Sequence, residues 1–136
     1  MRPIFSSFLI IVLLFSTGCI NNVEDISSTP DFDPNDISYS ADIQPIFNSS
    51  CGGSGCHISS STNGVNLSSY SAVLNSSGAV SGGPIVIPGE PDNSPLVDKI
   101  KPNPSFGSRM PTTGEFLTPS EIAKIEAWIT GGAQDN

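Results

Sequence analysis

The chain carries little positive charge. Five of its 136 residues are Lys or Arg against thirteen Asp or Glu, and the formal net charge is -8. Proteins bind phosphate backbones through clusters of basic side chains, so this deficit excludes nucleic acid as a partner. The acidic balance fits protein partners with basic docking faces, and it would also keep a small protein soluble without any partner.

Metal-ligating side chains are also scarce. The sequence holds three cysteines, two methionines and one histidine. Cys51, Cys56 and His57 give a zinc ion three ligands, and the predicted folded region has no fourth Cys or His. A thioredoxin-like pair would need two residues between its cysteines and a strand followed by a helix, and neither is present. The sequence therefore favours neither a zinc site nor a thiol oxidoreductase.

The first 18 residues are typical of an export signal. Arg2 gives a positive start, residues 8–15 are an unbroken apolar run, and residues 16–18 are small. The apolar run is too short for a comfortable membrane span. Its ending on Gly18 and Cys19 resembles a bacterial lipoprotein signal, in which the cysteine is lipidated and becomes the first mature residue. The alternative is an ordinary secretory signal cut nearby.

The remaining chain divides into two parts. Residues 19–38 are rich in Asn, Asp, Ser and Pro. They could bury too little apolar area to offset the conformational entropy lost on ordering, which predicts a lipid-anchored, flexible acidic linker. Residues 39–136 form the predicted folded domain. We expect an exported lipoprotein held at a membrane, in the periplasm or at the cell surface, by several acyl chains on Cys19.

Helical spacing recurs four times in the domain, and no strand pattern or internal repeat is evident. The first predicted helix contains Tyr39, Ile43, Ile46 and Phe47, with Ser40 as a plausible N-cap. The others span residues 69–74, begin at Ser94-Pro95, and begin at Thr118-Pro119 with a capping box to Glu121. Glycine- and proline-rich stretches separate them. The predicted fold is all-α, with few short helices and long loops.

The chemistry is concentrated in Cys51-Gly-Gly-Ser-Gly-Cys56-His57. Two thiols followed by an imidazole are what covalent haem attachment requires, with thioethers to the vinyl groups and His57 on the iron. Four residues separate the cysteines here instead of two. On a helix, five positions turn through about 500°, which would point the thiols apart, so the segment must be a loop. Its three glycines would allow the backbone to bulge and bring both sulfurs to one haem edge.

Met110 is the natural sixth ligand for such an iron. It is the only methionine after the leader, and it lies between Gly107 and Pro111 in an irregular segment with little regular packing. A thioether opposite an imidazole is a known haem ligand pair that raises the reduction potential. The alternative is that Met110 fills a gap in the core.

Two other interpretations stay open from these residues. A plain Cys51–Cys56 disulfide would form readily in an exported protein without haem, giving a disulfide-stapled surface lipoprotein that acts as a binding module. If Met110 dissociated from a bound iron, the protein could be a haem-based sensor. Should another side chain replace Met110, Lys99 and Lys101 are the candidates.

From Tyr39 onward the chain resembles the single-haem c-type cytochrome domains of bacterial exported proteins and lipoproteins, of the class I-like type with a CxxxxCH variant. The matching segments are Ile43-Gln44-Pro45-Ile46-Phe47, Cys56-His57, Pro88-Gly89-Glu90-Pro91, Ser94-Pro95-Leu96, Arg109-Met110-Pro111, Glu121-Ile122, Trp128-Ile129 and Gly131-Gly132-Ala133. Their order and spacing together carry the resemblance.

The resemblance implies a specific ligand set and fold. Cys51 and Cys56 would attach one haem c covalently, His57 would be the proximal ligand and Met110 the distal one. The first and last helices would cross near Phe47 and Trp128, and Arg109 could pair with a haem propionate. With both axial positions filled, the expected function is electron transfer to redox protein partners, and the domain is not expected to be an enzyme.

Overall fold

A computed structural model describes residues 30–136, and the leader and Cys19 lie outside the described residues. The described part holds four short helices and one two-stranded antiparallel sheet. In chain order these are α1 (Gln44–Ser50), α2 (Tyr70–Asn75), β1 (Ser77–Gly78), β2 (Gly83–Pro84), α3 (Pro95–Ile100) and α4 (Pro119–Thr130). The all-α prediction is therefore wrong, because residues between α2 and α3 pair as strands.

The sheet is a small hairpin that sequence patterns could not predict. Ser77 pairs with Pro84 and Gly78 with Gly83, so each strand has only two residues. Such strands show no alternation of apolar and polar side chains. The hairpin is held from outside by backbone contacts: the Ala79 amide donates to the Asn63 carbonyl over 2.8 Å. It serves as one wall of the site described below.

The first helix begins with a wide turn over Tyr39–Ile43 and continues as α1. Its cap is Ser38, whose hydroxyl accepts the Ala41 amide at 3.3 Å, so the prediction of Ser40 as the cap was wrong by two residues. Pro45 lies in the first turn of α1, directly after the wide turn, and it has no N–H to donate to that turn. The helix ends at Cys51.

The other three helices lie where the sequence predicted them. Ser69 caps α2, Ser94 precedes α3, and Thr118 forms a capping box with Glu121 at the start of α4. The core-facing side chains predicted for α3 and α4 are buried; they are Leu96, Val97, Ile100, Ile122, Ile125, Trp128 and Ile129. These are the elements with the strongest periodicity and caps, which is why local sequence was sufficient.

An aromatic cluster joins the first turn to α4. The Tyr39 ring lies 5.3 Å from the Trp128 ring and 5.2 Å, edge-on, from the Tyr70 ring. Trp128 is 1% exposed, and its indole N–H donates to the Gln134 carbonyl over 2.9 Å. Phe47 is buried in the same core, and the ring beside Trp128 is that of Tyr39, in the turn that leads into α1.

Packed structure extends to the N-terminal side of residue 39. Ile37 is buried, Phe32 packs against the core, and the Pro34 carbonyl lies so close to Gly131 that a Cβ there would be 2.6 Å away. The Lys124 ammonium pairs with Asp42 at 2.9 Å. The last residues predicted as linker thus lie against α4. Among the described residues no helix has the length and hydropathy to span a membrane.

Candidate functional site

Three of the four predicted haem-site residues meet at one cavity. Cys51, His57 and Met110 all line a cavity of about 310 Å³. Its walls are mostly apolar and come from three parts of the chain: the loop before α2, the hairpin with the residues after it, and α3 with the loop that follows. Apolar side chains on these walls include Val65, Leu67, Ile85, Leu96, Ile100 and Phe106. Cys51 and Met110, which are 59 positions apart in the sequence, thus line the same cavity.

Cys51 ends α1 and opens the bulge that the spacing required. Its amide donates to the Phe47 carbonyl over 2.9 Å, and its own carbonyl accepts the His57 amide at 3.1 Å. The first hydrogen bond belongs to the end of α1. The second closes residues 52–56 into a compact loop. Cys56 lies in this loop and is half-buried; it is outside the cavity lining. The structure thus brings Cys51 to the cavity and places Cys56 at its flank.

The glycines of the loop act in two different ways. Only Gly55 has a positive φ, +74°, so the expectation that the loop bulges through positive dihedrals holds at one position. Gly52 is needed for close approach, because a Cβ there would lie 2.4 Å from the Asn48 carbonyl oxygen of α1. The loop therefore folds back tightly on the end of the helix.

Both cysteines have free thiols in the structure. Burial, followed by the nearby Cys56 and Glu121, raises the pKa of the Cys51 thiol to about 11. A thiol with so high a pKa is protonated at neutral pH, and it lacks the thiolate character of a catalytic or redox-active cysteine.

His57 is held by hydrogen bonds on both its backbone and its ring. Its carbonyl accepts the Leu67 amide at 2.7 Å, and its Nδ1 lies 3.2 Å from the Val65 carbonyl oxygen. A carbonyl can only accept, so Nδ1 carries the proton in this contact, and Nε2 is the ring nitrogen left for a ligand. Histidines that ligate metals are usually oriented by such a second hydrogen bond. The Val65 carbonyl is a functional group that side-chain patterns in a sequence cannot reveal.

Met110 is positioned by α3. Its amide donates to the Lys99 carbonyl over 2.7 Å, at the end of that helix, and the peptide bond to Pro111 is cis. Lys99 itself lines the cavity, and its ammonium donates to the Phe106 and Ser108 carbonyls. The sequence alone indicates Lys99 only as a substitute for Met110 on the iron.

Arg109 has partners other than a haem propionate. Its Nε donates to the Ile100 carbonyl over 2.8 Å, and its guanidinium lies 4.2 Å from the centre of the Phe116 ring. These contacts occupy the side chain on the surface of the loop, and Arg109 is outside the cavity lining. The structure therefore gives the suggested propionate pairing no support.

The donor set fits a covalently attached haem better than a bare metal ion. Within residues 30–136 there is no group of three or more His, Cys, Asp and Glu side chains placed to hold a metal. The cavity instead offers one oriented imidazole, one thioether and one thiol on apolar walls. A large apolar macrocycle with a central iron needs this combination, because its faces require apolar contact and its iron requires two axial ligands.

Comparison with protein-family models, with curated proteins and with solved structures finds no match for this chain.

Proposed function

We propose that this protein is a membrane-anchored electron carrier that holds one haem c. Cys51 and Cys56 would attach the haem through thioethers, and His57 and Met110 would be its axial ligands. The haem supplies a one-electron ferric/ferrous couple, and two protein ligands leave no open coordination site for a substrate. The chain accordingly carries electrons and is not itself an enzyme.

One observation carries the proposal: the single histidine and the single methionine of residues 30–136 line the same apolar cavity as Cys51. Met110 belongs to a different loop from Cys51 and His57, so the cavity joins residues that lie far apart in the sequence. The hydrogen bond from Nδ1 of His57 to the Val65 carbonyl adds the expected orientation of a ligating imidazole.

Location and partners follow from the sequence. Lipidation at Cys19 would tether the domain to a membrane in the periplasm or at the cell surface. The net charge of -8 favours redox proteins with basic docking faces, since complementary charge speeds their encounter. The acidic chain has no basic cluster that would recruit nucleic acid.

The decisive test is a pyridine haemochrome spectrum, together with an intact mass, of the full chain produced with cytochrome c maturation factors. A c-type spectrum and one added haem mass are expected. Loss of two hydrogens with no haem would instead support the disulfide-stapled surface lipoprotein and would overturn the electron carrier. Carbon monoxide binding by the reduced protein at neutral pH would favour the sensor.

Replacing Met110 by alanine should leave the haem attached but remove one axial ligand. The ferric protein is expected to lose its methionine-to-iron charge-transfer band. Axial ligands tune haem potentials over roughly 0.8 V, and we expect this change to lower the potential by on the order of 0.1 V. Optical spectroscopy and redox titration measure both effects.

Thr112→Ala is the matched control for Met110→Ala. Thr112 also lines the cavity and is exposed, but its side chain is no soft ligand. Its spectrum and potential should match those of the parent protein. If Met110→Ala leaves the spectrum and the potential of the parent protein unchanged, the sixth ligand is another residue, and Lys99 and Lys101 become the next positions to replace.

A further inference from the structure

The segment that carries Met110 is fastened to one short stretch of α3. Asp98, Lys99 and Ile100 are consecutive, and each holds a different point of the loop 105–110. The loop has no helix or strand of its own. Its shape near the cavity therefore depends on contacts with α3.

These contacts begin at the start of the loop. The Ser105 amide donates to both carboxylate oxygens of Asp98, over 2.9 and 3.1 Å. Further along, the Lys99 ammonium donates to the Phe106 carbonyl over 2.8 Å and also to the Ser108 carbonyl. The same ammonium lies 5.0 Å from the centre of the Phe106 ring. One side chain thus clamps two carbonyls of the loop.

The other end of the loop caps the helix. The last carbonyls of a helix have no partner within it. Here the Lys99 carbonyl accepts the Met110 amide at 2.7 Å, and the Ile100 carbonyl accepts Nε of Arg109 at 2.8 Å. Met110 is therefore tied by its own backbone to the residue whose side chain clamps the loop before it.

We infer that Lys99 is the positioning residue for Met110: its ammonium holds the loop 105–110 in the conformation that presents the methionine to the cavity. This inference rests on the proposed function, because Met110 is a ligand only if haem is bound. The contacts between Lys99 and the loop 105–110 do not depend on haem. Lys99 acts on the loop carbonyls and needs no contact with the iron. In this role Lys99 holds Met110 in place as the distal ligand and does not replace it on the iron.

The test replaces Lys99 by leucine, which has no donor and cannot ligate iron, and by arginine, which keeps a cationic donor. In the full-length haem protein, Lys99→Leu should leave the pyridine haemochrome unchanged while the charge-transfer band is lost at a lower temperature. Hydrogen bonds from a charged donor contribute enough that the fraction of molecules with Met110 off the iron should rise roughly tenfold. Lys99→Arg should restore most of the parent behaviour.

A second measurement does not depend on haem. The Met110 amide exchanges with solvent only when its hydrogen bond to the Lys99 carbonyl opens, so Lys99→Leu should accelerate its hydrogen exchange by about tenfold or more. Lys124→Leu is the control, because Lys124 is a half-buried lysine that pairs with Asp42 on a different element. Its Met110 exchange and its band should match those of the parent.

The outcomes separate the two claims. Unchanged Met110 exchange and an unchanged band in Lys99→Leu overturn the positioning role, whatever the haem content. Accelerated exchange in a chain that never acquires haem sustains the anchoring by Lys99 and overturns the electron carrier. Equal effects of Lys99→Leu and Lys124→Leu would mean a general loss of stability and would also overturn the positioning role.

Discussion

If Cys51 and Cys56 attach the haem as proposed, replacing both by alanine should abolish covalent attachment of haem. In the proposed site His57 and Met110 would still hold the iron by coordination, but coordination is lost when the protein is denatured, whereas thioethers survive. Acidified acetone should therefore extract all pigment from the double variant and none from the parent. Each single variant keeps one thioether, so its pigment should stay with the polypeptide on a denaturing gel.

The third cysteine provides the matched control. Cys19→Ser changes a cysteine outside the predicted haem site, so haem attachment should be complete. If Cys19 is the lipidated residue, this variant should move from the membrane fraction to the soluble fraction, because it loses its acyl chains. Pigment that remains bound to the Cys51→Ala/Cys56→Ala double variant after extraction would contradict the thioether assignment.

Local sequence predicted the helices better than it predicted the segment between them. Thr118, Glu121 and the isoleucines of α4 act within one helix, and the structure confirms them. The hairpin over residues 77–84 was not predicted from the sequence. Its strands are short, and they lie against Asn63 and Gly64 of another loop. Patterns within a segment do not record contacts made by a distant backbone.

The same division applies to the site. His57 and Met110 were predicted as ligands because histidine and methionine are rare in this chain. The structure brings both side chains to one cavity with Cys51. The groups that orient them were not predictable: the Val65 carbonyl for His57, and the Lys99 carbonyl and ammonium for Met110. Backbone acceptors leave no mark in composition, and a lysine in the last turn of a short helix is typical of a solvated surface.

The aromatic cluster explains how a chain with so much loop keeps its site in place. Trp128 joins α4 to the turn that leads into α1, and α1 ends at Cys51. Loosening that contact would move the end of α1 relative to the helices that complete the core. The stability of the domain and the position of the loop at residues 51–57 thus depend on the same packing.

Trp128→Ala is expected to lower the free energy of unfolding by about 3–5 kcal/mol, the usual cost of removing a large buried aromatic side chain. That is a large part of the roughly 5–15 kcal/mol that stabilises a small domain. Trp128 is 1% exposed, and its loss also leaves the Gln134 carbonyl without its donor. Urea unfolding followed by circular dichroism measures the change as a lower midpoint at constant slope.

Two further variants make the result interpretable. Trp128→Phe keeps a ring against Tyr39 but removes the indole donor, so it should cost less than Trp128→Ala and stay folded if the alanine variant does not. Phe116 is 53% exposed, and Phe116→Ala should change stability by less than about 1 kcal/mol. A Trp128→Ala variant as stable as Phe116→Ala would mean that Trp128 does not hold α4 to the first turn.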